Sequence, residues 1–168
     1  MSHGVPGSDL HPLLRQRWSP RAFDPGHVLA AAQAGRLSVL WVFGHDLFAA
    51  RWPEADVRAA LGRVEGLVNN ASLLGVRRPL ADYPMDVWER VMAVNVTGTL
   101  RLTQAVLPAM SRGGAIVNVT SGAAGRPTWG AYGVSKLALD GVTRMLRDEL
   151  ADREIRCVGV NPGGTRTN

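Results

Sequence analysis

Tyr132 and Lys136 are four positions apart in the segment GAYGVSK, residues 130–136. On an α-helix this spacing places both side chains on one face, about one turn apart. The positive charge of an ammonium favours the phenolate form of a neighbouring tyrosine. The hydroxyl of Ser121, eleven residues upstream, is suited to hold a carbonyl or alcohol oxygen beside that phenol. These residue types indicate proton transfer at an oxygen atom while a hydride moves at the adjoining carbon.

A tyrosine and a lysine at this spacing also occur by chance on a helix surface, so the pair needs support from other motifs. Four further motifs surround it along the chain. They are Asn69-Asn-Ala-Ser72, Val94-Asn-Val-Thr-Gly98, Ile116-Val-Asn-Val-Thr-Ser121 and Asn161-Pro-Gly-Gly-Thr-Arg-Thr167. In their order and separations, the five motifs resemble the short-chain dehydrogenases/reductases over residues 62–168.

The resemblance implies an enzyme that transfers a hydride between NAD or NADP and a small alcohol or carbonyl substrate. It assigns general acid/base catalysis to Tyr132, and to Lys136 both the activation of that tyrosine and a hold on the cofactor ribose. It assigns the substrate oxygen to Ser121 and the anchoring of a proton relay to Asn95. The cofactor contacts that it implies are Asn70, Ala71, Ser72, Thr120, Tyr132, Lys136, Pro162, Gly163, Thr165 and Thr167.

Among the departures from the family pattern, two concern whole segments. Residues 1–65 hold no Gly-x-x-x-Gly-x-Gly turn, the element that brings backbone amides against the cofactor pyrophosphate. The segment that covers the substrate in the family is not found after the loop at residues 161–167, so the motifs predict no particular substrate. An alternative hypothesis is therefore a truncated or fused remnant without catalytic activity, which acts as an oligomerising or interaction module.

Residues 1–26 do not match this family, and we expect them to form a leader or arm. Within them, residues 11–24 resemble the opening of nitroreductase-like flavoproteins, in which an Arg-x-Ser-x-Arg arrangement holds the FMN phosphate. The corresponding residues are Arg17, Ser19 and Arg21. Two guanidinium groups and a hydroxyl suit a phosphate, although a surface arm or the scar of a gene fusion explains this segment better.

Residues 27–168 are predicted to form one α/β domain, a Rossmann-like, doubly wound parallel sheet in three layers that is incomplete at both ends. Short apolar runs predict buried strands, and apolar residues at helical spacing predict helices. The predicted strands are residues 38–43, 66–71, 115–120 and 155–160. The predicted helices are residues 27–36, 47–52, 54–61, 85–110 and 131–151. In the family the last two helices pair with their copies in a neighbouring subunit, which implies a homodimer or homotetramer.

Composition narrows the remaining function classes. The 168 residues carry a net charge of +5, spread over scattered arginines without a basic stripe, so we expect no nucleic-acid binding. The four histidines lack the spacing of metal ligands, and we expect no metal site. No apolar run is long enough to span a membrane, and no signal peptide is evident. Together with the single cysteine, these observations predict a cytoplasmic protein.

Overall fold

The computed structural model describes the backbone of residues 39–42 and the whole of residues 63–163. Within these ranges it contains a sheet of four parallel strands in the order of the sequence. The strands are β1 (Val39–Val42), β2 (Val64–Asn69), β3 (Met110–Val119) and β4 (Arg156–Val160). The predicted arm at residues 1–26 and the helices predicted at 27–36, 47–52 and 54–61 lie outside the described residues.

In residues 63–163, three α-helices accompany the strands. They are α1 (Met85–Met92), α2 (Thr99–Val106) and α3 (Gly130–Glu149). A π-helical segment, Ala93–Gly98, joins α1 to α2, so that the two form one interrupted helix between β2 and β3. Single 3-10 turns occur at Leu80–Asp82, Leu107–Ala109 and Ala151–Arg153. Among the described residues, no helix has the length and apolar character needed to cross a membrane.

The helix predicted over residues 85–110 is correct in place but wrong at its end. The helical backbone stops at Ala109, and Met110 already begins β3. Pro108 in the last turn explains the early end, because proline cannot continue the hydrogen-bonded ladder. Gly113 and Gly114 lie inside β3, and Gly113 has a φ of +79° there.

Parallel strands joined by helices confirm the prediction of a Rossmann-like α/β fold. Leu67, Ile116 and Cys157 are buried neighbours on one face of the sheet. They pack against residues of α2 and α3, so both helices cover the same face. The members of this core are Val64, Leu67, Leu102, Val106, Met110, Ile116, Leu146, Leu150, Ile155 and Cys157. The described residues thus account for the sheet and one helix layer of the predicted three.

A ladder of buried polar side chains crosses the sheet beyond this core. The Asn69 amide nitrogen donates to Asn118 Oδ1 at 2.8 Å and to Thr103 Oγ1 at 3.2 Å. The Asn118 amide nitrogen in turn donates to Thr143 Oγ1 at 2.8 Å. All four residues are buried. Because buried amides require partners, the ladder ties β2 and β3 to α2 and α3 at one level, directly below the carboxyl ends of the strands.

Candidate active site

The carboxyl ends of β2, β3 and β4 meet at one edge of the sheet, which we call the carboxyl edge. Asn69 pairs with Asn118, and Val119 pairs with Val160, so the residues that follow each strand emerge side by side. Ligands of open parallel α/β sheets bind at such an edge. The structure therefore brings the three predicted strand-end segments, residues 70–72, 120–121 and 161–163, to the same side of the molecule.

Tyr132 and Lys136 project from the first half of α3 toward this edge. Lys136 Nζ lies 5.6 Å from the centre of the Tyr132 ring. The same nitrogen donates a hydrogen bond of 2.8 Å to the carbonyl oxygen of Val119, the last residue of β3. Lys136 is 2% exposed, whereas Tyr132 is half-buried. The predicted pair is thus a real contact in the fold, and its lysine is anchored two residues before Ser121.

Burial lowers the pKa of the Lys136 ammonium from 10.5 to about 8, and the negative charge of Asp140 opposes this change in part. Asp140 lies one helical turn beyond Lys136 on α3. An ammonium with its pKa in this range holds a proton at neutral pH and releases it under mildly alkaline conditions. Such a group is suited to proton exchange with a neighbouring phenol.

Ser121 follows β3 at the carboxyl edge, as the sequence predicts. Its Oγ accepts a hydrogen bond of 3.1 Å from the backbone nitrogen of Ala123. This contact uses an oxygen lone pair and leaves the hydroxyl proton to be donated elsewhere. A Cβ added at the adjacent Gly122 would lie 3.4 Å from the amide nitrogen of Asn161, so the segment after β4 packs beside Ser121.

Asn95 occupies the middle of the π-helical segment and is fully buried. Its Oδ1 accepts from the backbone nitrogen of Leu73 at 2.7 Å, and its Nδ2 donates to the backbone oxygen of Leu73 at 2.9 Å. The same Nδ2 donates to Ser135 Oγ at 2.9 Å, and Ser135 Oγ donates to the backbone oxygen of Tyr132. Asn95 thus links the helix between β2 and β3 to the turn of α3 that carries Tyr132.

The residues assigned to cofactor contacts lie at the carboxyl edge wherever they are described. Asn70 and Ala71 are half-buried and follow β2, and Ser72 is exposed. The backbone nitrogen of Thr120 donates to the oxygen of Val160 at 2.9 Å. Pro162 and Gly163 are exposed after β4. Thr165 and Thr167 lie outside the described residues, as do the residues that follow β1.

Residues 71–79, which we call the 71–79 loop, are held in place by contacts that the sequence did not predict. Besides the two hydrogen bonds between Asn95 and Leu73, the Tyr83 hydroxyl donates to the backbone oxygen of Val76 at 3.0 Å. Gly75 has a φ of +68°, and a Cβ there would approach Val91 Cγ2 to 2.8 Å. Only glycine fits this position. The loop therefore has a defined conformation at the rim of the site.

An aromatic residue missed by the sequence analysis lies between this loop and Tyr132. The guanidinium carbon of Arg77 lies 4.3 Å from the centre of the Trp129 ring. The Trp129 ring is in turn 6.0 Å from the Tyr132 ring, with the two planes tilted by 40°. The signal in the sequence was the tryptophan directly preceding the GAYGVSK segment. Its arginine partner is 52 positions away and follows only from the fold.

Other sites are not evident in the described part of the chain. No group of histidine, cysteine, aspartate or glutamate residues there has the geometry to hold a metal ion. A cavity of about 340 Å³ opens between the end of α3 and the start of β4, at the opposite end of the sheet from Tyr132. Its lining includes Arg147, Glu154 and Arg156. It does not belong to the site at the carboxyl edge.

Comparison with known proteins places these features in a family. The family model described as short chain dehydrogenase matches residues 54–168. The uncharacterized oxidoreductase YciK of Escherichia coli K12 is 45% identical over 109 residues, which cover 62% of this chain and 43% of that protein. Dehydrogenase/reductase SDR family member 4 of Bos taurus is 42% identical over 111 residues, which cover 64% of this chain and 40% of that protein. The chain thus spans less than half the length of these two curated relatives.

Solved structures agree with the family model. A short chain dehydrogenase from Salmonella enterica superposes with a TM-score of 0.65 at 32% identity, over 76% of this chain and 66% of that chain. An Escherichia coli CFT073 protein described as a short chain dehydrogenase, solved with NADPH, superposes with a TM-score of 0.61 at 37% identity, over 70% and 53% of the two chains. The nitroreductase resemblance of residues 11–24 is not borne out, and Arg17, Ser19 and Arg21 lie outside the described residues. By motifs, fold and sequence identity, the chain belongs to the short chain dehydrogenase family.

Proposed function

We propose that the chain acts as an NAD(P)-dependent oxidoreductase that interconverts an alcohol and a carbonyl group. The observation that carries this proposal is the buried Lys136 ammonium, which lies against the Tyr132 ring and is hydrogen-bonded to the end of β3. A general acid/base must reach the oxygen whose proton it exchanges. Tyr132 lies on the first turn of α3 and is half-buried, so part of its side chain stays accessible to a substrate oxygen, which supports this role.

Each residue has a distinct role in this proposal. In alcohol oxidation, Tyr132 takes the hydroxyl proton of the substrate, and in carbonyl reduction it returns that proton. Lys136 stabilises the phenolate by its charge. Ser121 donates its hydroxyl proton to the same substrate oxygen and so holds it beside the phenol. Asn95 fixes the position of Tyr132 through Ser135 and would anchor the proton relay.

The donor set at the carboxyl edge fits a nicotinamide cofactor. An ammonium has three N–H donors, and Val119 accepts the one hydrogen bond that Lys136 Nζ makes among the described residues. Its other donors suit the hydroxyls of a ribose. Asn70, Ala71, Ser72, Thr120, Pro162 and Gly163 would line the cofactor, and the family pattern assigns the same role to Thr165 and Thr167. When bound, NAD or NADP supplies or accepts the hydride. The related structure solved with NADPH supports this choice of cofactor.

Titration of the full chain with NADH and with NADPH, followed by nicotinamide fluorescence, tests the proposal. We expect saturable binding that is weakened by Lys136→Ala. Tyr132→Phe should keep the binding and lower turnover of an alcohol or carbonyl substrate by about 100-fold or more, the usual contribution of a general acid/base. Absence of binding at millimolar cofactor, in a chain that circular dichroism shows to be folded, would contradict the proposal and favour a non-catalytic interaction module.

We also propose that the enzyme is a cytoplasmic homodimer or homotetramer, assembled through α1, α2 and α3. Leu137 and Met145 are large apolar side chains on α3 with exposures of 55% and 63%. A contiguous exposed apolar patch is typical of a contact with a partner, and we propose that these two side chains contribute to one. Sedimentation velocity of the wild type and of Met145→Glu tests the assembly, which should weaken in the variant. A monomeric wild type would exclude it.

A further inference from the structure

The rim of the active site carries positive charge without compensation in its own loops. Arg77 and Arg78 belong to the 71–79 loop, and Arg126 belongs to residues 120–129, the loop between β3 and α3. Neither loop contains an aspartate or a glutamate. All three arginines are exposed, and none of them takes part in an ion pair within the described part of the chain. Clustered charge of one sign at a cleft attracts ligands of the opposite sign.

Arg77 is the best placed of the three to contact a substrate. Its guanidinium stacks on the Trp129 ring, and that single indole separates it from the Tyr132 ring. Stacking on an aromatic face restricts a guanidinium while leaving its N–H groups at the edge available to a partner. Arg78, the next residue, has no such platform among the described contacts. The contacts of Arg77 with Trp129 and of Trp129 with Tyr132 therefore fix the position of the guanidinium relative to the Tyr132 ring.

The backbone beneath Arg77 is equally well determined. Val76, its neighbour, is hydrogen-bonded to the Tyr83 hydroxyl, and Leu73 is held by Asn95. The Tyr83 ring is buried and packs with Val91 and Ala131. Groups that select a ligand act best when they are fixed before the ligand arrives, because less ordering is then needed on binding. Arg77 is a preorganised cation at the rim of the site.

We propose that Arg77, supported by Trp129, selects substrates that carry a carboxylate a few bonds from the reacting carbonyl or alcohol carbon. A planar guanidinium matches a carboxylate through two parallel hydrogen bonds. The carboxylate approaches Arg77 while the reacting oxygen lies between Ser121 and Tyr132. This inference rests on the proposed oxidoreductase function and names its substrate class.

Matched substrate pairs test the inference on the full chain. The probes are levulinate and its methyl ester, and acetoacetate and its methyl ester; each pair shares its ketone, and the ester carries a methyl group in place of the negative charge. In the wild type we expect kcat/KM to be about tenfold higher for at least one acid than for its ester. Arg77→Gln should abolish that preference by lowering the value for the acid alone, and Arg77→Lys should restore it in part. Arg101→Gln, an exposed arginine on α2, should behave as wild type.

Three outcomes would overturn the inference. An unchanged acid-to-ester ratio in Arg77→Gln, with both substrates turned over, would refute it and leave the oxidoreductase proposal intact. An equal rise of the cofactor KM with both substrates would assign Arg77 to the cofactor instead. If the wild type turns over none of the four probes, calorimetric titration with the same acids and esters decides the selectivity, while the cofactor titration decides the oxidoreductase proposal separately. Equal affinities of wild type and Arg77→Gln for the acid would refute the inference, and a tenfold loss for the acid alone would support it.

Discussion

Replacing Lys136 by methionine should stabilise the folded chain at neutral pH while it removes the proposed catalytic ammonium. Lys136 is buried, and burial lowers its pKa from 10.5 to about 8. Because a tenfold change in a protonation equilibrium corresponds to about 1.4 kcal/mol, holding the charged form in the fold costs about 3 kcal/mol. Methionine has a similar length and carries no charge to desolvate. The methionine variant loses the hydrogen bond to the Val119 oxygen, which contributes about 1 kcal/mol.

The predicted gain is therefore about 2 kcal/mol in the free energy of unfolding at pH 7, or about 4–8 °C in Tm for a chain of this size. The pH dependence follows from the direction of the pKa change. Below pH 8 the lysine is protonated in both the folded and the unfolded state, so the cost is fully present. Between pH 8 and 10.5 the unfolded state binds the proton and the folded state releases it, so the wild type gains stability as the pH rises.

Urea unfolding of wild type and Lys136→Met at pH 7 and at pH 10 measures this difference. The advantage of the variant should shrink or reverse at pH 10. Lys136 is the only lysine of the chain, so no other lysine titrates in this range. The Cys157 thiol, whose pKa burial raises to about 11, is present in both proteins and cancels in the comparison. A variant less stable than wild type at pH 7, or a difference independent of pH, would refute the reasoning.

Two further predictions concern the supports of the site. Gly130→Ala should lower the free energy of unfolding, measured by urea denaturation, by about 2–3 kcal/mol. Gly130 has a φ of +50°, and an added Cβ would overlap the Tyr83 ring. The control is Gly141→Ala on the same helix, which should be neutral or stabilising because a Cβ there meets nothing within 4 Å. Asn95→Ala should lower the free energy of unfolding by about 2–4 kcal/mol, since three hydrogen bonds are lost and the Leu73 backbone loses its partner. Hydrogen exchange at the Leu73 amide should accelerate in this variant. A Leu73 amide that stays protected would count against this role of Asn95.

The parts of the fold that were predictable from sequence are those set by local patterns. Apolar runs located the strands within a few residues, and the predicted helix at 131–151 is found at Gly130–Glu149. The spacing of Tyr132 and Lys136 correctly placed the two side chains together, because four positions on a helix fix their relation. The order of the motifs correctly predicted that Ser121 lies just after the end of β3.

The parts that were not predictable depend on contacts between distant segments. Nothing in the local sequence pattern marks the six residues of π-helix around Asn95. The length of β3 and the glycine within it depend on pairing with β2, in which the register shifts between Val64 and Gly66. Arg77 and Trp129 meet only because the 71–79 loop is drawn toward α3. The sequence pattern of one segment does not indicate which residues of a distant segment it will contact.

The buried ladder of Asn69 and Asn118 also determines the alignment of the strands. In a strand whose side chains alternate between faces, a slip by two residues returns the same apolar residues to the core. Such a slip would separate the two amides, which lie in register and are joined by a hydrogen bond of 2.8 Å. It would leave buried polar groups without hydrogen-bond partners. It would also carry Ser121 about 7 Å along the strand axis relative to β2. The amide pair thus makes the correct alignment the only one in which Ser121, Asn70 and Lys136 share an edge.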